Sequence, residues 1–110
     1  MARALRNNDV ETIGRMAEED ILNLHASTMT GKAHMILWEP ETLRIVKSVQ
    51  QMRAEGVPAW FSMDTGPSVF VNASKKHTRE VAERLRRLGC CHVIESDVGG
   101  EPFFTDDHLF

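Results

Sequence analysis

Ala59-Trp60-Phe61-Ser62-Met63-Asp64-Thr65-Gly66-Pro67-Ser68-Val69-Phe70-Val71 places two apolar, aromatic and β-branched runs on either side of one tight polar turn. Short runs of this kind, bounded by Gly, Pro and Asp, read as strands. The spacing predicts strands over residues 58–63 and 68–72, joined through Asp64-Thr65-Gly66-Pro67 and preceded by a break at Gly56.

Helical patterns surround this pair. Pro40 suits the first turn of a helix, Glu41 its positive end, and Leu43, Ile45, Val46, Val49 and Met52 a broad apolar face, which predicts a helix over 40–55. Upstream, Asn8 and Glu11 have the spacing of a capping box. Val10, Ile13, Ala17, Ile21 and Leu24 then recur at helical steps, giving a helix over 9–28 whose solvated side carries Glu11, Arg15, Glu18 and Glu19. Residues 29–38, interrupted by Gly31, read as a connector with a buried apolar anchor at Met35 to Trp38. Downstream, Ser74 reads as the cap of a helix over 75–88, with Val81, Ala82, Leu85 and Leu88 inward and Gly89 at its end. His92 to Ser96 and Pro102 to Thr105, around Gly99-Gly100, read as a closing hairpin with a polar Asp106-Asp107-His108 tail. This order predicts an α+β fold, an antiparallel sheet with helices packed on one face.

The chain has 110 residues, 42% hydrophobic and 26% charged, which fits a single domain over 1–110 with one packed core. A net charge of -3 offers no general attraction to nucleic acid or to an anionic membrane. No apolar run approaches the ~18 residues of a membrane span, and the N-terminus lacks the apolar segment of a signal peptide. Cys90 and Cys91 are adjacent, so they cannot make the spaced bridges of small secreted domains, and the cytoplasm is the expected compartment. At the mouth of a strand these two side chains would point to opposite faces and serve packing.

Asp64 is the one carboxylate placed at the end of an apolar strand inside a turn defined by Gly and Pro. Such a group is held by rigid backbone, and the adjacent Gly admits close approach of a ligand or of another backbone. Composition alone leaves open the alternative that Asp64 only accepts hydrogen bonds from its own turn amides. Asp-Thr-Gly is also the aspartic-protease signature, but that fold is almost all strand, whereas helical patterns flank this motif and Pro67 stands where a small residue belongs. In the helix over 75–88, Lys76, Glu80 and Arg84 lie four apart, as do Arg79, Glu83 and Arg87, so its basic charge reads as solvated ladders in preference to a nucleic-acid site, with the steering of an anionic substrate left open. The five histidines show no zinc-type spacing. His25 differs in falling near the apolar stripe at the end of the first long helix, where a satisfied, partly buried imidazole is the default and catalysis the lesser option.

Together these stretches follow the order of a known family. Asp9 to Ile13, Leu24-His25-Ala26-Ser27, Pro40 to Gly56 and above all Ala59 to Val71 resemble the C-terminal part of mevalonate diphosphate decarboxylases, members of the small-molecule (GHMP) kinase superfamily, over about residues 9–88. The family loop reads Asp-Ala-Gly-Pro-Asn; here it is Asp64-Thr65-Gly66-Pro67-Ser68. The resemblance implies the ferredoxin-like C-terminal domain of that superfamily. It makes Asp64 the active-site carboxylate beside the 3-hydroxyl that ATP phosphorylates before phosphate and carbon dioxide leave, and it places Gly66, Pro67, Ser68 and His25 at the substrate, a mevalonate diphosphate. Ser68 in place of Asn shortens an amide to a hydroxyl and points to a different phosphorylation state of that substrate.

The superfamily's Pro-x-x-x-Gly-Leu-x-Ser-Ser-Ala phosphate loop is absent, and no glycine here opens a helix with free amides. The resemblance therefore implies a missing N-terminal ATP-binding half. ATP and magnesium belong to the full-length enzyme, none is expected on this chain alone, and the isolated chain is expected to be silent. A homodimer is compatible with this picture. Phosphomevalonate decarboxylase and mevalonate 3-kinase are the enzymatic alternatives. A stand-alone α+β metabolite-binding or interaction module is the alternative of another class, with Asp64 as a turn former.

Overall fold

The hairpin at the Asp64 turn organises the computed structural model, which describes residues 1–89 and 92–107. Strand β1 (Ala59–Ser62) pairs antiparallel with β2 (Phe70–Ala73), in register from Ala59↔Ala73 to Ser62↔Phe70. Both strands are shorter than the sequence predicts at their turn-facing ends. Residues 63–69 belong to the turn, whose shape requires Gly66 at φ +85.

Four helices accompany the pair: α1 (Ala2–Arg6), α2 (Val10–Thr30), α3 (Pro40–Ala54) and α4 (Thr78–Arg87). The short α1 was not expected from the sequence, and it buries Ala4. The cap of α2 is Asp9, not Asn8; its carboxylate accepts the Thr12 N–H at 3.0 Å. That bond holds the Asp9 carboxyl below its usual range. At α3, Pro40 occupies the first turn as expected, Thr42 Oγ1 accepts the Glu39 N–H, and Gly56 follows the end at φ +92. Helix α4 begins three residues later than the sequence predicts. The Ser74 carbonyl takes the N–H groups of His77 and Thr78, and its hydroxyl is engaged by His77 Nδ1, so residues 75–77 form a turn rather than helix.

Helices α2 and α3 pack on β1, and the core gathers Ile45, Val46, Val49 and Met52 of α3 with Phe61, Met63, Ile21, Val81 and Leu85. The α+β fold with an antiparallel sheet is therefore present. Its closing hairpin is not: His92–Ser96 and Pro102–Thr105 carry no strand, and Ile94, Val98, Phe103 and Phe104 are exposed. A strand needs lateral hydrogen bonds and an apolar floor. This segment has Val93 against the core, and Glu95 and Asp97 paired with Arg86 and Lys75. The expectations for Cys90, Cys91 and His108 fall outside the described residues.

The buried stripe of α2 also differs from the apolar pattern. Gly14, Glu18, Ile21 and His25 are buried, whereas Val10, Leu22 and Leu24 are exposed. Glu18, read from the sequence as solvated, is instead drawn inward by Arg53. In the connector, Leu37 and Trp38 are half-buried while Met35 and Ile36 face out, so the anchor is shorter than Met35 to Trp38. No helix among the described residues is long and apolar enough to cross a membrane.

Candidate active site

Strand β1 delivers Asp64 to the surface. Met63, just before it, is buried, so the turn leaves the core at Asp64 and its side chain is exposed. Among the described residues, no hydrogen bond or ion pair reaches the Asp64 carboxylate. The turn amides leave that group to solvent, which removes the structural need for a carboxylate at this position. Thr65, Pro67 and Ser68 are exposed beside it, and the Gly66-Pro67 peptide is cis.

Three contacts hold the turn from beneath. His25, at 1% exposure, places Nε2 at 2.9 Å from the Asp64 carbonyl oxygen. A carbonyl only accepts, so Nε2 carries the proton and donates. Thr42, equally buried, donates through Oγ1 to the Pro67 carbonyl at 3.4 Å. Between these points Gly66 lies against the Leu37 carbonyl, and an ideal Cβ there would sit 3.2 Å from that oxygen. Gly66 thus meets a positive φ and a close approach at once. The indole of Trp38 lies tilted on the His25 ring at a centroid distance of 5.7 Å.

A second polar cluster braces β1. Arg53 forks onto both Glu18 oxygens at 2.7 and 2.8 Å and reaches the Ala59 carbonyl at 2.9 Å, while Glu18 accepts the Phe61 N–H at 3.2 Å. The paired carboxylate holds the Arg53 guanidinium above its ordinary range. Ion pair and backbone together satisfy the strand edge that β2 leaves open.

The structure therefore brings Asp64, Gly66, Pro67 and Ser68 into one exposed turn and puts His25 below it. Thr42 and the Glu18–Arg53 pair were missed from the sequence, and Trp38 was read only as part of a buried anchor. Thr42 had a local signal, three residues past the Glu39 that precedes the helix-starting Pro40. A cleft of about 850 Å³ opens between β2, α4 and the segment 92–98; Pro67 and Ser68 stand on its rim, and Asp64 lies outside it. Among the described residues no group of three His, Cys, Asp or Glu is placed to hold a metal ion.

No family model matches the chain. The phosphomevalonate decarboxylase of Haloferax volcanii is 39% identical over 101 residues, which is 91% of this chain and 30% of that protein. The solved mevalonate diphosphate decarboxylase from Enterococcus faecalis, described in terms of mevalonate diphosphate mediated ATP binding, superposes with a TM-score of 0.74 at 30% identity, over 78% of this chain and 27% of its own. A complex designated MDDEF with MVAPP, AMPPCP and magnesium gives the same TM-score, 0.74, and identity, 30%, over 78% of this chain and 26% of that one. The chain thus spans less than a third of the relatives it matches. In sequence and in fold the chain is similar to one part of the phosphomevalonate and mevalonate diphosphate decarboxylases.

Proposed function

We propose that this chain is the C-terminal part of an ATP-dependent decarboxylase of phosphorylated mevalonate, and that it supplies Asp64 as the carboxylate facing the substrate's 3-hydroxyl. The observation that carries the reading is an exposed carboxylate with no partner among the described residues, mounted on a turn clamped by two buried side chains. Similarity to phosphomevalonate and mevalonate diphosphate decarboxylases supports this reaction class.

On this reading ATP and magnesium are held by an N-terminal half that carries the phosphate loop and supplies the phosphoryl group. Asp64 acts on the acceptor. One Oδ orients the tertiary alcohol and takes its proton as the hydroxyl becomes a nucleophile, a contribution of ~10²–10⁴-fold when a base is well placed. Once that proton has passed from Asp64 to the departing phosphate, the carboxylate, an anion again, stabilises the positive charge that develops at carbon 3. Gly66 and Pro67 shape the wall beside it, and Ser68 offers a hydroxyl at the rim.

Asp64→Asn in the complete enzyme tests this reading. ATP-dependent carbon dioxide release is expected to fall by at least ~10²-fold while thermal unfolding stays unchanged; turnover at the parental rate overturns the assignment. A second reading concerns the substrate. The 39% relative is named a phosphomevalonate decarboxylase, and Ser68 replaces the family's amide, which together favour the monophosphate. Comparing kcat/KM for mevalonate 5-phosphate and 5-diphosphate decides between them. Tight binding of a metabolite by the isolated chain would instead support the stand-alone module.

A further inference from the structure

The least explained polar group in the fold is the imidazole of His25. Its residue is 1% exposed, Nε2 meets the Asp64 carbonyl at 2.9 Å, and Nδ1 is buried with no hydrogen-bond partner among the described residues. The indole Nε1 of Trp38, on the same side of the turn, is likewise buried and unpartnered. For stability alone the imidazole gains little over an apolar ring of similar volume, which would exchange the unmet Nδ1 for an unmet Asp64 carbonyl. What the imidazole alone provides is a proton donor, inside a low-dielectric pocket, aimed at the backbone of the residue that carries the exposed carboxylate.

We propose that His25 is the positioning residue for Asp64: its Nε2–H holds the Asp64 carbonyl and thereby sets the direction of the Asp64 side chain. This rests on the reading of Asp64 as the active-site carboxylate. Carbonyl and Cα–Cβ bond share one Cα, so turning the 64–65 peptide swings the carboxylate with it. Thr42 fixes the other end of the turn through the Pro67 carbonyl, and Gly66 lets the middle pass close to the Leu37 carbonyl. With His25 removed, one anchor is lost at the residue whose orientation matters. Displacement of a reacting group by ~1 Å costs about 10²-fold.

The test uses the complete enzyme. His25→Phe keeps the ring and deletes the donor; His25→Gln loses the ring but extends an amide N–H to about the reach of Nε2. Positioning predicts a kcat lowered ~10–100-fold in the Phe variant, an unchanged KM for ATP, and substantial recovery of kcat in the Gln variant. A packing role predicts the reverse ranking, with Phe near parental activity and Gln impaired, and that result overturns the proposal. Should His25→Phe fail to fold, ¹⁵N-histidine spectra of the parental enzyme, assigned by the signal lost in His25→Gln, read the tautomer directly. A proton on Nε2 supports the proposal, and one on Nδ1 alone overturns it. If Asp64→Asn abolishes turnover while His25→Phe keeps the parental kcat, only the positioning role falls. If Asp64→Asn is fully active, the reading of Asp64 falls first.

Discussion

Gly14→Ala is the substitution whose outcome the packing specifies most sharply. In the interior of an exposed helix, replacing Gly by Ala gains ~0.5–1 kcal/mol through helix propensity. Gly14 is not exposed: an ideal Cβ there would sit 2.4 Å from Trp60 Cδ2 and 2.6 Å from both Cε3 and Cγ. These are ring atoms of a side chain with 5% exposure, so the indole has nowhere to withdraw without moving β1 or α2. Overpacking of this kind costs about 1–3 kcal/mol, and a methyl group overlapping three ring carbons belongs at the upper end. Subtracting the propensity gain leaves a net loss of ~2 kcal/mol, or roughly 8–10 °C in Tm for a domain of this size. Urea unfolding followed by tryptophan fluorescence measures it. Pairing Gly14→Ala with Trp60→Leu should cost less than the sum of the two single changes, because the smaller side chain removes the overlap. A Tm raised by Gly14→Ala, or strictly additive costs, would show that α2 does not rest on the indole through Gly14.

Glu18→Ala should destabilise the chain by ~2 kcal/mol in urea titration, less than the ~3–5 expected for a fully buried pair because Arg53 keeps 34% of its side chain in solvent. Adding Arg53→Met should restore part of that loss, and a neutral Glu18→Ala would refute the bracing role. Acid titration probes the exposed carboxylates. The Arg84 guanidinium and the Gln51 amide hold Glu55 below its usual range, as the Thr12 amide holds Asp9. A carboxyl depressed in the folded state binds fewer protons there than in the unfolded one. Its contribution is therefore complete above the free-carboxyl range near pH ~4 and is lost as pH falls through the folded value. The urea midpoint should drop from pH 5 to 3, and Glu55→Gln should flatten that slope; an unchanged slope counts against the Arg84 contact.

Much of the fold was legible because its signals are local. Pro40 and Gly56 bracket α3, and the β-branched and aromatic runs around Asp64 mark the hairpin without reference to anything distant. Where local signals compete, the reading slipped. Asn8 and Asp9 are both good caps, and only the backbone at Asn8, with φ 51, leaves the role to Asp9. The Ser74 hydroxyl was available to a cap but found His77 instead. The closing hairpin had suitable composition and turn residues, yet a strand forms only with a neighbour to pair with, and composition does not name the neighbour.

The site divides along the same line. Its exposed half, Asp64 to Ser68, is a contiguous motif, but the half that holds it comes from α2 and α3, and it was hidden because hydrophobicity places polar residues outside. Glu18 and His25 contradict that rule together. They lie seven residues apart, two helical turns and about 10.5 Å along one face, and they bond the backbone of Phe61 and Asp64, three residues and about 10 Å apart along extended chain. The two spacings match, and both run in the same sense. Helix α2 therefore follows β1 as a rail, accepting an N–H at residue 61 and donating to a carbonyl at residue 64. A rail with two polar grips resists sliding in a way that apolar contact alone does not, since a shift of one residue breaks both hydrogen bonds in a place where water cannot replace them. The Glu18–Arg53 brace is thus part of how the Asp64 turn is aimed. A disturbance as far up the helix as Gly14 should reach the carboxylate through it.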